Sequence, residues 1–306
     1  MQRYIISRIV QGLLTLWVIS LIVFLATRLT GDPAAVLLAP EASSEEDYQR
    51  KKAQLGLDKP LTTQYGIYMK NAIRGDFGDS VRDGRPTRDL LFERLPATIQ
   101  LAAAGMLLAI IVGVPLGILS AVKRDSLFDV SGKFFAILGM AAPQFWVAIM
   151  LILVFGAIFK VLPTFGRGGP EHFVLPAFVL AWSLMAGMMR LGRSAMLEIL
   201  DSEYIKFARV KGLDERLVLW KHALRNAMIP LLTFSGISLA GLLNGAIVVE
   251  VVFAWPGLGR LMLDGVLQRN FPVVQAAVLA SSFFYVVTAM IVDILYVYVD
   301  PRIRYN

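Results

Sequence analysis

The sequence contains no cysteine and only two histidines, His172 and His222, in 306 residues. Disulfides and thiolate metal sites are thereby excluded, and nothing about redox compartment follows. Charge is scarce as well: 17% of the residues are charged and 57% are hydrophobic, against about a quarter charged in an average soluble domain. There is no G-x-x-x-x-G-K-[ST] loop. The one Gly-Lys pair, Gly132-Lys133, is followed by Phe134, so the chain does not cradle nucleotide phosphates by that route. The stretch "GISLAG" (236–241) matches a serine-hydrolase elbow only loosely, because Ala240 stands where the second glycine belongs. Neither an internal repeat nor a low-complexity tract is found. No catalytic set emerges, and an enzyme is not expected.

Long apolar runs are abundant. Charge-free stretches cover 9–27, 95–122, 134–159, 172–189, 226–249 and 270–292. A bilayer is crossed by about 20 mostly apolar residues, and a chain in hydrocarbon must satisfy its backbone internally, so these read as helices. The expectation is an all-α integral membrane protein with six transmembrane helices. The stretch 172–189 is the shortest and contains Pro176. The first run follows Arg3 and Arg8 as a signal peptide would, but its 19 residues exceed the about 7–15 of a signal core. Arg28 stands where a cleavage site would be, so an uncleaved anchor is expected.

Basic residues set the orientation. Six spans place the N-tail, the 123–133 turn, the 190–225 loop and the C-tail on one side, with 15 Lys and Arg; the short loops opposite hold Lys160, Arg167, Arg260 and Arg269. The positive-inside rule then puts both termini in the cytoplasm. The two histidines fall on opposite sides and share no site. The net charge of +7 is mostly a topology signal, and no nucleic-acid partner is expected. The organisation is an N-tail and first helix over 1–29, an extracytoplasmic cap over 30–94, and a five-helix core over 95–306 with a cytoplasmic loop at 190–226. Within the cap, "SSEEDYQRKKAQLGL" predicts a helix with Ser43 or Ser44 as N-cap and Gly56 as stop, and "TTQYGIYMKNAI" a second short helix.

Polar residues inside spans face other helices or water. Gln144, Ser238, Asn244 and Glu250 are taken as lining a translocation pathway, the alternative for Ser238 being interhelical glue. The spacings Gly113–Gly117 and Gly241–Gly245 allow close helix approach. No chain of buried carboxylates and cations like that of a proton-coupled carrier is seen, so the passage is expected to be powered from elsewhere.

One wet segment interrupts the apolar core. "EYIKFARVKGLDERLVLWKHALRNAMIP" (203–230) carries six basic and three acidic residues. Its start predicts a short helix ending at Gly212, with Tyr204, Phe207 and Ala208 as a narrow apolar face flanked by Lys206, Arg209 and Lys211. Asp214 is placed to cap a second helix running towards Pro230. A helix this short is marginal alone; its apolar strip fits either a groove on another protein or lipid headgroups.

In order along the chain, "GDPA", "LGLDKPLTTQY", "GDFGDS", "ARVKGL", "HALRNAMIP", "VVFAWPGLGRL" and "DPRIRY" resemble the permease subunits of ATP-binding-cassette importers, in the dipeptide, oligopeptide, nickel and glutathione branch. The resemblance covers almost the whole chain. It implies the type I importer permease architecture in a bacterial or archaeal inner membrane, with no cofactor in this chain. It also implies a second homologous permease, two ATPase subunits that bind ATP and magnesium, and an extracytoplasmic substrate-binding protein that meets the cap. In this family an E-A-A-x-x-x-G helix in the loop between the fourth and fifth spans couples to the ATPase. Ala208 and Gly212 match the second Ala and the Gly, while Lys206 and Phe207 replace the Glu and first Ala. The resemblance thus implies that 203–212, with Glu203, Tyr204, Lys206, Phe207, Ala208, Arg209, Lys211 and Gly212, is the coupling helix. The alternative reading is a secondary carrier or channel working without an ATPase.

Overall fold

The computed structural model describes residues 2–30, 45–54 and 56–299. The anticipated cap at Ser43 or Ser44, the "GDPA" turn, the side chain of Asn244 and the tail from Asp300 lie outside the described residues. The chain divides into two units, 1–98 with 256–287, and 99–255 with 288–306. Among the described residues every regular element is helical, apart from an isolated antiparallel bridge between Asp79 and Pro86.

The first unit holds helices α1 (Gln2–Thr30), α2 (Glu45–Gln54) and α3 (Leu61–Ile73), the start of α4 (Thr87–Val122), α11 (Leu258–Leu267), and the first part of α12 (Phe271–Val299). The two short helices of the cap form as their sequences predict. Beyond α2, Gly56 N–H bonds to Ala53 O and Leu57 N–H to Lys52 O, which satisfies carbonyls a helix end leaves open. Aromatic and polar contacts tie α3 to α1. Phe24 meets Tyr65 edge-on at 5.4 Å and Tyr68 at 5.6 Å, and Ser20 shares a 2.8 Å hydrogen bond with the Tyr65 hydroxyl. Gln275 donates to Thr27 Oγ1 at 2.6 Å. Asn270 donates to Ser80 Oγ at 2.8 Å and accepts from Val81 N–H at 3.2 Å. Beneath these, Leu91, Leu258, Ala276 and Ala277 form a buried core packed against Phe77 and Leu95.

The second unit is built around α7 (Glu171–Leu200), which packs against α5 (Leu127–Ala141), α6 (Gln144–Leu151) and α10 (Leu224–Val252). Close approach comes from glycine on α4, as the Gly113–Gly117 spacing predicted. A Cβ at Gly113 would lie 2.9 Å from the Met185 carbonyl oxygen, and one at Gly117 would lie 2.6 Å from that of Met189. At Gly241, by contrast, a Cβ meets nothing within 4 Å.

Two expectations need correction. The third span is not one straight helix: α5 and the segment 144–158 meet at 107°. Pro143 disfavours the helical region for the residue before it, and Ala142 is extended at φ −75°, ψ 124°. Five helices are therefore long and apolar enough to cross singly, with the bent pair as a sixth span if it is counted as one. The fourth span also runs well past its apolar window, to Leu200, so the anticipated 190–226 loop begins as helix. The run ends at Arg190, and the next basic residue, Arg193, is matched inside the unit. Arg193 donates from Nε and Nη2 to the two oxygens of Asp129 at 2.6 and 2.9 Å. Asp129 is fully buried, accepts from the Ser120 hydroxyl as well, and meets Lys133 Nζ at 2.8 Å. The helix capped by Asp214 runs towards Pro230 as expected and continues into the fifth span. α9 (Glu215–Leu217) passes through a π-helical stretch (Val218–Ala223) directly into α10.

Candidate coupling surface and pathway residues

The wet segment folds as a short helix, a glycine turn and a second helix. α8 (Glu203–Val210) starts after Ser202, whose extended backbone (φ −72°, ψ 150°) occupies the N-cap. Glu203 in its first turn receives Lys206 Nζ at 2.8 Å. Gly212, at φ +77°, closes the helix in a left-handed conformation that a side chain would strain, and Leu213 N–H returns to Ala208 O at 3.3 Å. Asp214 then accepts from Arg216 N–H at 3.2 Å, the capping role its position predicted.

Two ties join α8 to the helices beyond Gly212. Arg209 grips both oxygens of Glu215 at 3.2 and 2.7 Å; the hydrogen bond raises the already high guanidinium pKa. Tyr204 accepts from Asn226 Nδ2 at 2.8 Å and donates to His222 O at 3.3 Å. Pairs this exposed contribute little each, but together they fix the direction of the helix.

The faces of α8 differ from the expectation. Ile205 and Ala208, three residues apart, point into the chain's own core and are 0% and 9% exposed. Phe207 and Val210 point outward at 64% and 83%. The anticipated strip of Tyr204, Phe207 and Ala208 is therefore split, with Ala208 facing its own unit. The reason is packing: Ile205 is the larger apolar group, and its burial carries Ala208 inward on the same i, i+3 row. Exposed Leu213, Leu217 and Trp220 extend the outward apolar surface beyond Gly212, with Lys206, Arg209 and Lys211 around it.

The anticipated pathway residues lie on α6 and α10. Gln144 begins α6 at the 107° bend and is half-buried, as is Ser238 on α10. Glu250 near the end of α10 is fully enclosed. Its carbonyl accepts from Trp255 N–H at 2.8 Å, at a turn where Ala254 takes φ +51° and the Trp255 ring meets Phe173 edge-on at 4.6 Å. Its carboxylate does not face an open passage in this conformation. Ile205, the Arg209–Glu215 pair and the Asp129 cluster escaped sequence reasoning. A signal for the last was available: Asp129 follows a serine cap and precedes Lys133 by four residues.

Residues 113–305 match the binding-protein-dependent transport system inner membrane component, and residues 1–102 match the N-terminal domain that accompanies it. The chain is 40% identical over 307 residues, covering 100% of both partners, to the glutathione transport system permease protein GsiC of Escherichia coli (strain K12) and to that of Shigella dysenteriae serotype 1. Two inward-facing structures of the MetNI methionine ABC transporter align with TM-scores of 0.53 and 0.57, at 18% and 19% identity, over 69% of this chain and 96% of theirs; these show the fold. Five or six apolar helices able to cross a membrane, the two family matches and the full-length similarity lead to one assignment: the chain belongs to the binding-protein-dependent transport inner membrane component family, as a non-catalytic, multi-pass inner-membrane permease subunit of an ATP-driven importer.

Proposed function

We propose that this permease carries short peptides of the glutathione kind, as half of a pathway completed by a second, homologous permease. Two ATPase subunits holding ATP and magnesium dock on 203–212 from the cytoplasm, and an extracytoplasmic binding protein delivers cargo to the 30–94 cap. Full-length similarity to glutathione permeases supports the cargo class. The observation that carries the coupling assignment is the outward Phe207 and Val210 on a helix whose other side is anchored by Ile205. Such a helix is apolar where it should be wet and rigid where it must transmit force. Gln144, Ser238 and Asn244 remain our pathway residues; Glu250 joins them only if the turn at 253–256 opens.

The pair Phe207→Asp and Val210→Asp tests the coupling. Burying either carboxylate in a partner groove should cost about 2 kcal/mol or more, reducing ATPase co-purification and cargo-stimulated ATP turnover at least tenfold. Both side chains are exposed, so folding is expected to be unchanged. Wild-type stimulation in both variants would remove 203–212 from the coupling role. Ala208→Arg is a poorer test than its motif position suggests, because it would break the helix's own seat.

Orientation is tested through the native absence of cysteine. Single cysteines near 125 and 210 should resist a membrane-impermeant thiol reagent in spheroplasts, and those near 50 and 265 should react. Labelling at 210 would reverse the topology.

A further inference from the structure

The step from the coupling segment into the fifth span is irregular. Between α9 and α10 the helix is π-helical over Val218–Ala223, and Leu224 N–H bonds to Leu219 O, five residues back. π-Helices are rare and occur mostly as single bulges, frequently at functional sites, and helices bend readily there. A second flaw follows. Pro230 lies inside α10 and has no N–H, so the carbonyl of Asn226, four residues earlier, loses the donor it would have in an unbroken helix. The regular ladder is thus broken twice between α8 and the membrane. A push on α8 carried by this backbone alone would be absorbed at the first break.

A side-chain bridge spans that first break. Asn226 Nδ2, in the first turn of α10, donates to the Tyr204 hydroxyl at 2.8 Å and to the His222 carbonyl at 3.0 Å. The Tyr204 hydroxyl donates to the same carbonyl at 3.3 Å, so the three groups close a ring. A carbonyl only accepts, so the amide nitrogen must face it, and both amide hydrogens are in use. The Arg209–Glu215 pair reaches only six residues, across the Gly212 turn. Tyr204 reaches 22, past the whole π stretch. Beneath the ring α8 packs on the π stretch, with Ile205, Val218, Ala223 and Ala227 fully buried. Packing holds the two elements side by side, and the ring fixes how one is turned against the other.

From this arrangement we propose that Tyr204 and Asn226, joined on the His222 carbonyl, are a latch that makes α8 and the first turn of α10 move as one piece. They are positioning residues for ATP-driven transport. The latch carries movement of α8 past the π stretch, and α10 then bends at Pro230. Coupling between distant ends runs through hydrogen-bond networks and rigid elements of this kind. Without the latch, α8 turns against α10 and the π stretch takes up the movement. This rests on the reading of 203–212 as the docking site of the ATPase.

The test uses the whole transporter complex in lipid nanodiscs. Leu232→Cys, just past Pro230 and half exposed, is the reporter in a chain without native cysteine. Alkylation by a small maleimide, read as the mass of this subunit, is timed without nucleotide and with ATP and vanadate. The two rates should differ several-fold. Asn226→Leu should shrink that difference about fivefold, the scale on which single coupling residues act. ATPase co-purification should stay at the wild-type level, because Phe207 and Val210 are untouched. Asn226→Asp, the same shape without the amide hydrogens, should match it. Tyr204→Phe should do as much, and combined with Asn226→Leu no more, since either change opens the same ring. An unchanged difference in either single variant would overturn the latch. So would multiplied losses in the double variant, or equal rates in the two nucleotide states with the latch intact. Loss of the ATPase from Asn226→Leu would overturn it too, leaving the ring as a seat for α8 only. Phe207→Asp in the same background separates the two readings. If it releases the ATPase while the latch variants transmit normally, the latch fails and the docking site stands. If it keeps the ATPase while the latch variants do not transmit, the docking site fails and the latch stands.

Discussion

Replacing Arg193 by methionine is expected to abolish accumulation of the folded permease, or to lower its thermal midpoint more than any other single change on α7. The guanidinium contacts both oxygens of a carboxylate that is fully buried. Removing one member of a buried pair leaves the other uncompensated, typically at about 3–5 kcal/mol. Lys133, 2.8 Å from Asp129 and itself half in solvent, softens the loss without abolishing it, because it reaches only one oxygen. The double variant Asp129→Leu with Arg193→Met removes both charges and should recover most of the lost stability, since an apolar replacement of a whole buried pair is often neutral. Thermal denaturation of the detergent-solubilised complex, followed by size exclusion, checks both. A double variant no better than Arg193→Met would mean that the cluster acts through shape and not through charge.

Gly117→Val should be nearly as damaging, and Gly241→Ala nearly silent. The first places a Cβ 2.6 Å from the Met189 carbonyl oxygen and 3.1 Å from its Cα, both backbone atoms of α7. Backbone cannot swing aside as a side chain can, so α4 and α7 must separate. Overpacking costs about 1–3 kcal/mol where side chains can adjust, and more is expected here. Gly241 has open space around its missing Cβ, and alanine favours helix by about 1 kcal/mol. The yield of monodisperse complex after mild heating should fall sharply for Gly117→Val and stay level or rise for Gly241→Ala. If Gly241→Ala destabilises the assembled complex, that face is covered by a second chain.

Much was legible in the residues because the membrane leaves few options. A run of apolar residues in hydrocarbon must be helical, so the crossings and their order could be read from 9–27 through 270–292. Local punctuation was legible for a similar reason: Gly56, Asp214 and Gly212 act on their own neighbours, and each stops or starts a helix where it should. The glycines at 113 and 117 could be identified as close-approach positions, but not the helix they approach.

What the sequence left open are the questions in which one residue's role depends on another far along the chain. Pro143 breaks a span while Pro176 and Pro230 lie inside continuous helices; a proline removes one hydrogen bond wherever it stands, and the surrounding packing decides whether the helix bends. The extent of α7 was hidden because Arg190 ends the apolar run and Arg193 follows as a second charge, whose partner, Asp129, lies 64 residues earlier. Which side of α8 faces inward was settled by the seat available for Ile205, and no periodicity within eight residues contains that information. The bond between Tyr204 and Asn226 belongs to the same class, since it joins residues 22 apart across a glycine turn and a π stretch. Chain-local chemistry and the bilayer's demand for satisfied backbone determined the elements; pairing between distant residues, which only the tertiary structure supplies, decided their bends, their ends and which faces they leave free for partners.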